Sequence, residues 1–309
     1  MLQAVEKRVK SALSLEMFSG TSPSAEELTD RWMIIGASDI YLTMPLKKSK
    51  LIRLVSIRKL KMANLQITRI TIMLRAYLFL TIFIPLTFFL AVSAMLFTLI
   101  DPTGRIYHLH AKLWGRLGLW LAGAKLEIVG SEKVPAEGPV IFMSNHQGNF
   151  DILSLFLAIP RQFSWIAKEE LFAIPVFGNS MRRAGYIPLD RSDGRRALKS
   201  IEAAAAKIRS GQSVVIFPEG TRTPDGNLLP FKRGGFLLAA KAGVHIVPLT
   251  INGSAKVNPC KRLELYPGKI TIRFAEPISP LQWSGAHRDL LMEQVRAAIA
   301  GGLDRREGC

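Results

Sequence analysis

Two residues in the stretch Ser144 to Ile152, SNHQGNFDI, are of types that move protons: His146 and, five positions on, Asp151. An imidazole held by a carboxylate can take a proton from a hydroxyl and return it to a leaving group, because the carboxylate fixes the tautomer and stabilises the imidazolium. The spacing also has a plainer reading, in which Asp151 caps the next helix and His146 is an incidental loop residue. The pair alone leaves both open. A second candidate stretch is Pro218 to Arg222, PEGTR. Gly220 would let backbone amides approach a ligand, and the Arg222 guanidinium is a planar fork suited to phosphate oxygens. Glu219 and Arg222 could equally pair with each other and hold a turn. Lys232 and Arg233 come next, beside a Gly-Gly helix start that can also hold an anion. His108 and His110 have the H-x-H form of a metal pair, but no third ligand or carboxylate stands near them in the sequence, and histidines at the level of lipid headgroups are the simpler reading. Carboxylate clusters of the kind a metal-dependent hydrolase needs are missing around His146.

The elements that must position these residues are readable from residue 125 onward. Short apolar runs, KLEIV, PVIFM, FSWIA, YIPL, SVVIF, HIVPLTI and KITIRF, are bounded by Gly, Pro and Ser and read as strands. Between them DILSLFLAI, PVFGNSMRRA, RRALKSIEAAAAKIR and GGFLLAAKA read as helices, and HRDLLMEQVRAAIAG closes the chain as another. Alternating strands and helices with near-continuous apolar strands predict an α/β domain: a mixed or mostly parallel sheet with helices on both faces. Sites on such sheets gather at the carboxyl ends of strands, and both His146 and PEGTR lie just past one. Asn145 reads as a turn residue.

The chain has 309 residues, 49% of them hydrophobic, and Lys and Arg outnumber Asp and Glu by 41 to 24 for a net charge of +17. Such a surface is drawn to an anionic partner. Nucleic acid is disfavoured, because no zinc-finger spacing, basic-region heptad or RNA-binding aromatic signature accompanies the charge. An anionic membrane surface fits better. Ala76 to Ile100 runs 25 residues without a charge, and as a helix it would be about 37 Å long against roughly 30 Å of hydrocarbon. It lacks the cleavage pattern of a secretory signal and so reads as a retained anchor. Pro85 lies inside it and could kink it. Nine basic residues and no acidic one lie between Lys47 and Arg75, a one-signed flank suited to anionic headgroups. Arg105 to Ala124 is too polar to span and reads as an amphipathic helix in the interface. The expected organisation is an N-terminal extension of unknown role (1–61), a membrane anchor (62–124, with the apolar helix 76–100 and the interfacial helix 105–124) and a globular domain (125–309). Met62 is an alternative start. Cys260 and Cys309 form no framework and suit a reducing compartment.

Taken together, NHQGNFD and FPEGTR resemble the catalytic and acceptor-binding blocks of the glycerophospholipid acyltransferase family, specifically its bacterial 1-acyl-sn-glycerol-3-phosphate acyltransferases. WIAKEELFAIPVFG (Trp165 to Gly178), GYIPLDR (Gly185 to Arg191) and IVPLTING (Ile246 to Gly253) agree in order and spacing, so the resemblance covers roughly residues 125–275. It implies an acyl transfer to the sn-2 hydroxyl of lysophosphatidate, with acyl-CoA or acyl carrier protein as donor and no bound cofactor or metal. It further implies that His146 is the general base and Asp151 its orienting partner. Glu219, Gly220, Thr221 and Arg222 would bind the acceptor's glycerol phosphate, and Lys168, Arg191 and Lys232 would add phosphate contacts. Gly148 stands where related members often carry Ser, which bears on acceptor fit. Glycerol 3-phosphate or another lysolipid as acceptor, or a non-catalytic membrane-tethered lipid-binding module, are the competing readings. The implied location is a bacterial inner membrane with the domain on the cytoplasmic face, held by a monotopic anchor.

Overall fold

The computed structural model describes residues 33–37, 40–44, 48–101, 103–175, 177–190, 193–223, 226–259, 262–279 and 288–304. The chain divides into two units, Met1–Arg69 and Ile70–Cys309. In the first, β1 (Met33–Ala37) and β2 (Ile40–Met44) pair antiparallel. The sequence showed no sustained periodicity there, and the hairpin is a feature that pattern alone did not reveal. Helix α1 (Lys48–Phe97) begins in the first unit, and its residues from Ile70 onward belong to the second.

The larger unit continues with α2 (Arg105–Ala122), β3 (Ala124–Val129), β4 (Ile141–Ser144), α3 (Phe150–Ala158), β5 (Ser164–Lys168), α4 (Phe177–Arg183), β6 (Ile187–Leu189) and α5 (Gly194–Arg209). Then come β7 (Val214–Ile216), α6 (Arg233–Ala242), β8 (Ile246–Asn252), the short α7 (Ser254–Val257), β9 (Gly268–Phe274) and α8 (Arg288–Gly301). The seven strands β3 to β9 form one sheet in the order β3-β9-β8-β4-β7-β5-β6. All neighbours are parallel except β8 and β9. The expected mixed sheet with helices on both faces is what forms. Because successive side chains on a strand point to opposite faces, Ile141, Met143, Val214 and Ile216 pack with α5, α6 and α8. Phe142, Val215 and Val247 pack on the other face with α2 and α3.

Helix α2 approaches α3 and α1 closely because its contact positions carry no side chain. A Cβ on Gly115 would lie 2.7 Å from the Leu153 carbonyl oxygen, and one on Gly118 would lie 2.8 Å from the Phe83 ring. Phe83 stacks on Trp114, whose indole N–H donates to Thr87 Oγ1 at 2.8 Å, and Arg75 donates to the Ala122 carbonyl at 2.6 Å. One side of α1 is thereby fastened to the domain. Gln66–Phe97 is long and apolar enough to cross a membrane, and Leu78, Phe88, Phe89 and Leu96 on it are exposed. Pro85 sits inside the helix, where its missing N–H leaves the Thr81 carbonyl without its helical partner.

The two histidines of α2 both find partners within the protein. His108 is buried between the rings of Phe156 and Phe163, and desolvation, with Lys112 adding to it, holds its pKa down to about 4. His110 is engaged through Nε2 with Ser93 Oγ at 3.1 Å and through Nδ1 with the Ile106 carbonyl at 2.9 Å. Residues two apart on a helix point roughly 200° apart, so the pair cannot chelate one ion.

Candidate active site

The sheet delivers His146 to the carboxyl end of β4. Asn145 continues the strand ladder with its side chain: its amide donates to the Ile251 carbonyl at 2.9 Å and its Oδ1 accepts from the Ile251 N–H at 2.7 Å. It is a clamp between β4 and β8, a stronger role than the turn residue expected, and it holds the backbone from which His146 departs. His146 Nδ1 lies 2.7 Å from Asp151 Oδ2. The same oxygen accepts the backbone N–H groups of Gln147 at 2.6 Å and Gly148 at 2.8 Å, and Asp151 is fully buried. Asp151 is the second residue of α3, so the helix start and the imidazole contact are one arrangement. The imidazole stacks on Phe217 at 3.9 Å with 9° between planes, and its side chain keeps 15% exposure.

The PEGTR loop is stitched to this backbone. Glu219, 1% exposed, accepts the His146 N–H on Oε1 and the Leu229 N–H on Oε2, each at 2.9 Å. The Thr223 N–H donates to the His146 carbonyl at 2.8 Å. Burial raises the Glu219 carboxyl above its ordinary range, and the amides of Leu229 and His146 oppose that rise. Gly220 has φ 72°, the left-handed conformation that the reversal after Phe217 requires. Arg222 does not draw on Glu219, whose two oxygens are each bonded to a backbone amide. It donates through Nη1 to Asn149 Oδ1 and is otherwise exposed.

A cavity of about 460 Å³ brings the parts together. Its polar lining includes His146, Lys168, Gly220, Thr221 and Arg222. Its apolar lining comes from Leu90, Ala91 and Ala94 of α1, Trp114 of α2, Phe156 of α3, and Trp165, Met181 and Phe217. Tyr107 and Ser180 also face it, joined to each other at 2.7 Å. Of the residues singled out in the sequence, Asp151 and Glu219 are buried behind this lining. Lys232 stands apart from it, exposed at the start of α6, with its backbone N–H on the Pro218 carbonyl at 2.8 Å. Arg191 lies outside the described residues. Sequence reasoning passed over Phe217, which supports the imidazole, and Asn149, which holds Arg222. Both sit inside or beside the quoted stretches, but nothing in their types announces the contact. Among the described residues no group of three or more His, Cys, Asp or Glu side chains could hold a metal ion.

A family model described as Acyltransferase matches residues 125–252, and a 1-acyl-sn-glycerol-3-phosphate acyltransferase of Cocos nucifera is 32% identical, with 68% of each chain covered. The chain belongs to this acyltransferase family. Its similarity to a chloroplastic 1-acyl-sn-glycerol-3-phosphate acyltransferase of Arabidopsis thaliana is 36% identity over 209 residues, 67% of this chain and 57% of the relative, so it spans less than two thirds of that protein's length. The crystal structure of the 1-acyl-sn-glycerophosphate acyltransferase of Thermotoga maritima matches with a TM-score of 0.63 at 27% identity, covering 77% of this chain and 95% of that one.

Proposed function

We propose that the chain transfers a fatty acyl group from an acyl thioester to the sn-2 hydroxyl of 1-acyl-glycerol 3-phosphate, giving phosphatidic acid. The observation that carries this reading is the shared lining of one cavity: an imidazole backed by a buried carboxylate, two cations, Lys168 and Arg222, and a long apolar wall. An acceptor that has a phosphate, a hydroxyl and an acyl chain needs those three environments together.

In the proposed reaction Nδ1–H of His146 donates a hydrogen bond to Asp151, which fixes the tautomer and leaves Nε2 as the basic nitrogen. The acceptor oxygen attacks the thioester carbonyl carbon while Nε2 takes the hydroxyl proton. The tetrahedral intermediate then expels the thiolate, which takes that proton from the imidazolium. A C–O bond replaces a C–S bond and no acyl-enzyme forms. Arg222 and Lys168 hold the phosphate, with Gly220 and Thr221 beside them, and Glu219 positions the loop from behind. Lys232 acts through its field alone, and Arg191 remains a candidate for phosphate contact. The donor is acyl-CoA or acyl carrier protein, and the reaction calls for no bound cofactor.

The chain in this reading sits on a bacterial inner membrane with residues 125–309 on the cytoplasmic face, where acyl thioesters are made. Residues 62–124 form a monotopic anchor, the apolar helix dipping into one leaflet. The basic flank Lys47–Arg75 supports a cytoplasmic N-terminal side. Single cysteines at Lys59 and Lys207, in a background lacking Cys260 and Cys309, should both resist an impermeant label applied from outside the inner membrane. Labelling of the Lys207 site would overturn the monotopic arrangement. The activity itself is tested with the purified full chain, labelled acyl-CoA or acyl carrier protein, and lysophosphatidate beside glycerol 3-phosphate. Phosphatidate is the expected product. Preference for glycerol 3-phosphate would move the assignment to that acceptor, and lipid binding without thioester consumption would leave a non-catalytic module.

A further inference from the structure

We infer that Asn149 is a positioning residue that orients the Arg222 guanidinium for phosphate, and that Asn258, from outside the cavity, sets the orientation of Asn149; this rests on the reading that Arg222 binds the acceptor. The contacts form a chain with a defined direction. Asn258 Nδ2 donates to the Glu264 backbone carbonyl at 2.9 Å, and Asn149 Nδ2 donates to Asn258 Oδ1 at 3.1 Å. Asn149 Oδ1 then accepts from Arg222 Nη1. At one end is a carbonyl that can only accept, and at the other a guanidinium that can only donate. Between them neither amide can flip without setting donor against donor or acceptor against acceptor. The carbonyl of residue 264 therefore dictates that Asn149 presents oxygen to the arginine.

The choice of an amide has an electrostatic consequence. A carboxylate in place of Asn149 would also hold the guanidinium, but it would cancel the charge that draws a phosphate. An amide oxygen fixes the direction of Arg222 and leaves its charge available. An exposed arginine otherwise samples many rotamers, and freezing it on binding costs affinity. The relay removes part of that cost in advance. Neither asparagine lines the cavity, so both act through Arg222.

Steady-state kinetics of the full chain, varying lysophosphatidate and the acyl donor (acyl-CoA or acyl carrier protein) separately, test the inference. Asn149→Ala should raise the acceptor KM about 3- to 10-fold with the donor KM and kcat little changed. Asn149→Asp should raise it at least as much, because it keeps the acceptor but opposes the charge. Asn258→Leu should shift the acceptor KM in the same direction, and so should Asn258→Asp, whose carboxylate keeps an oxygen for Asn149 Nδ2 but sets a second oxygen against the Glu264 carbonyl in place of the donor. In an Arg222→Ala background Asn149→Ala should have no further effect. An unchanged acceptor KM in Asn149→Ala, an equal rise in both KM values, or a wild-type KM in Asn149→Asp would overturn the relay while leaving the activity standing. A wild-type chain that does not acylate lysophosphatidate would overturn the functional reading and the relay with it.

Discussion

Replacing Glu219 by Gln separates a residue that holds the site from one that touches the acceptor. Its two carboxylate oxygens each accept one backbone N–H at 2.9 Å, from His146 and Leu229, in a position 1% exposed. A glutamine can accept only one of them. Its NH2 must then face the other amide, turning a hydrogen bond into two opposed buried donors. Bonds to charged groups contribute about 1.5–3 kcal/mol and an unsatisfied buried group costs about 1–3 kcal/mol. Against this, burial raises the Glu219 carboxyl, so its ionised form already bears a desolvation cost that the amide avoids. The net expectation is a loss of about 2 kcal/mol, or about 4–8 °C in Tm for a unit of this size. Since one of the two amides belongs to His146 itself, kcat should fall, by about 10-fold or more if the imidazole shifts by a fraction of an ångström, while the acceptor KM stays close to wild type. Thermal unfolding followed by circular dichroism, together with kinetics on lysophosphatidate, gives both numbers. An unchanged Tm with a selectively raised acceptor KM would show that Glu219 meets the substrate directly, and the positioning argument would be wrong.

His146→Ala should remove about 10²- to 10⁴-fold of the turnover with the fold intact, and Asp151→Asn should be comparably severe, since its neutral oxygen must serve three donors; near wild-type turnover of either with lysophosphatidate would refute the proposed mechanism. Arg222→Ala should raise the acceptor KM and leave the donor KM alone, which initial rates with each substrate varied in turn will check. Gly115→Ala would drive a methyl against the Leu153 carbonyl at 2.7 Å and should cost about 1–3 kcal/mol, read as a lowered Tm. His108, neutral when folded with a pKa of about 4 against 6.5 in the unfolded chain, makes the folded state bind fewer protons between those values. Its contribution is absent above pH 6.5 and grows unfavourable as pH falls, to about 3 kcal/mol near pH 4; Tm measured from pH 7 to 4.5 should drop less in His108→Phe than in the wild type.

What could be read from the chain alone depends on runs of neighbouring residues. Seven strands were legible because strands buried on both faces are short apolar runs between Gly and Pro, and β8 is such a run with all seven residues buried. The apolar helix was legible because length and lack of charge suffice. So was the His146 and Asp151 spacing, since the contact is made within a single loop and the first turn of α3. The partners of Glu219 and Arg222 were not. In the sequence Glu219 had two readings, acceptor contact or ion pair with Arg222, whereas its oxygens lie on the backbone of residues 146 and 229, the first of them 73 positions away. Arg222 meets Asn149 across the same separation of 73. The metal reading of the His108 and His110 pair gave way because α2 turns His108 against Phe156 and Phe163, while His110, on the other side of the helix, meets Ser93 of α1. These points rest on contacts between residues far apart in the chain. A buried carboxylate or an exposed guanidinium takes whichever partner the packing of the whole sheet brings within 3 Å, and no local pattern in the chain records that distance.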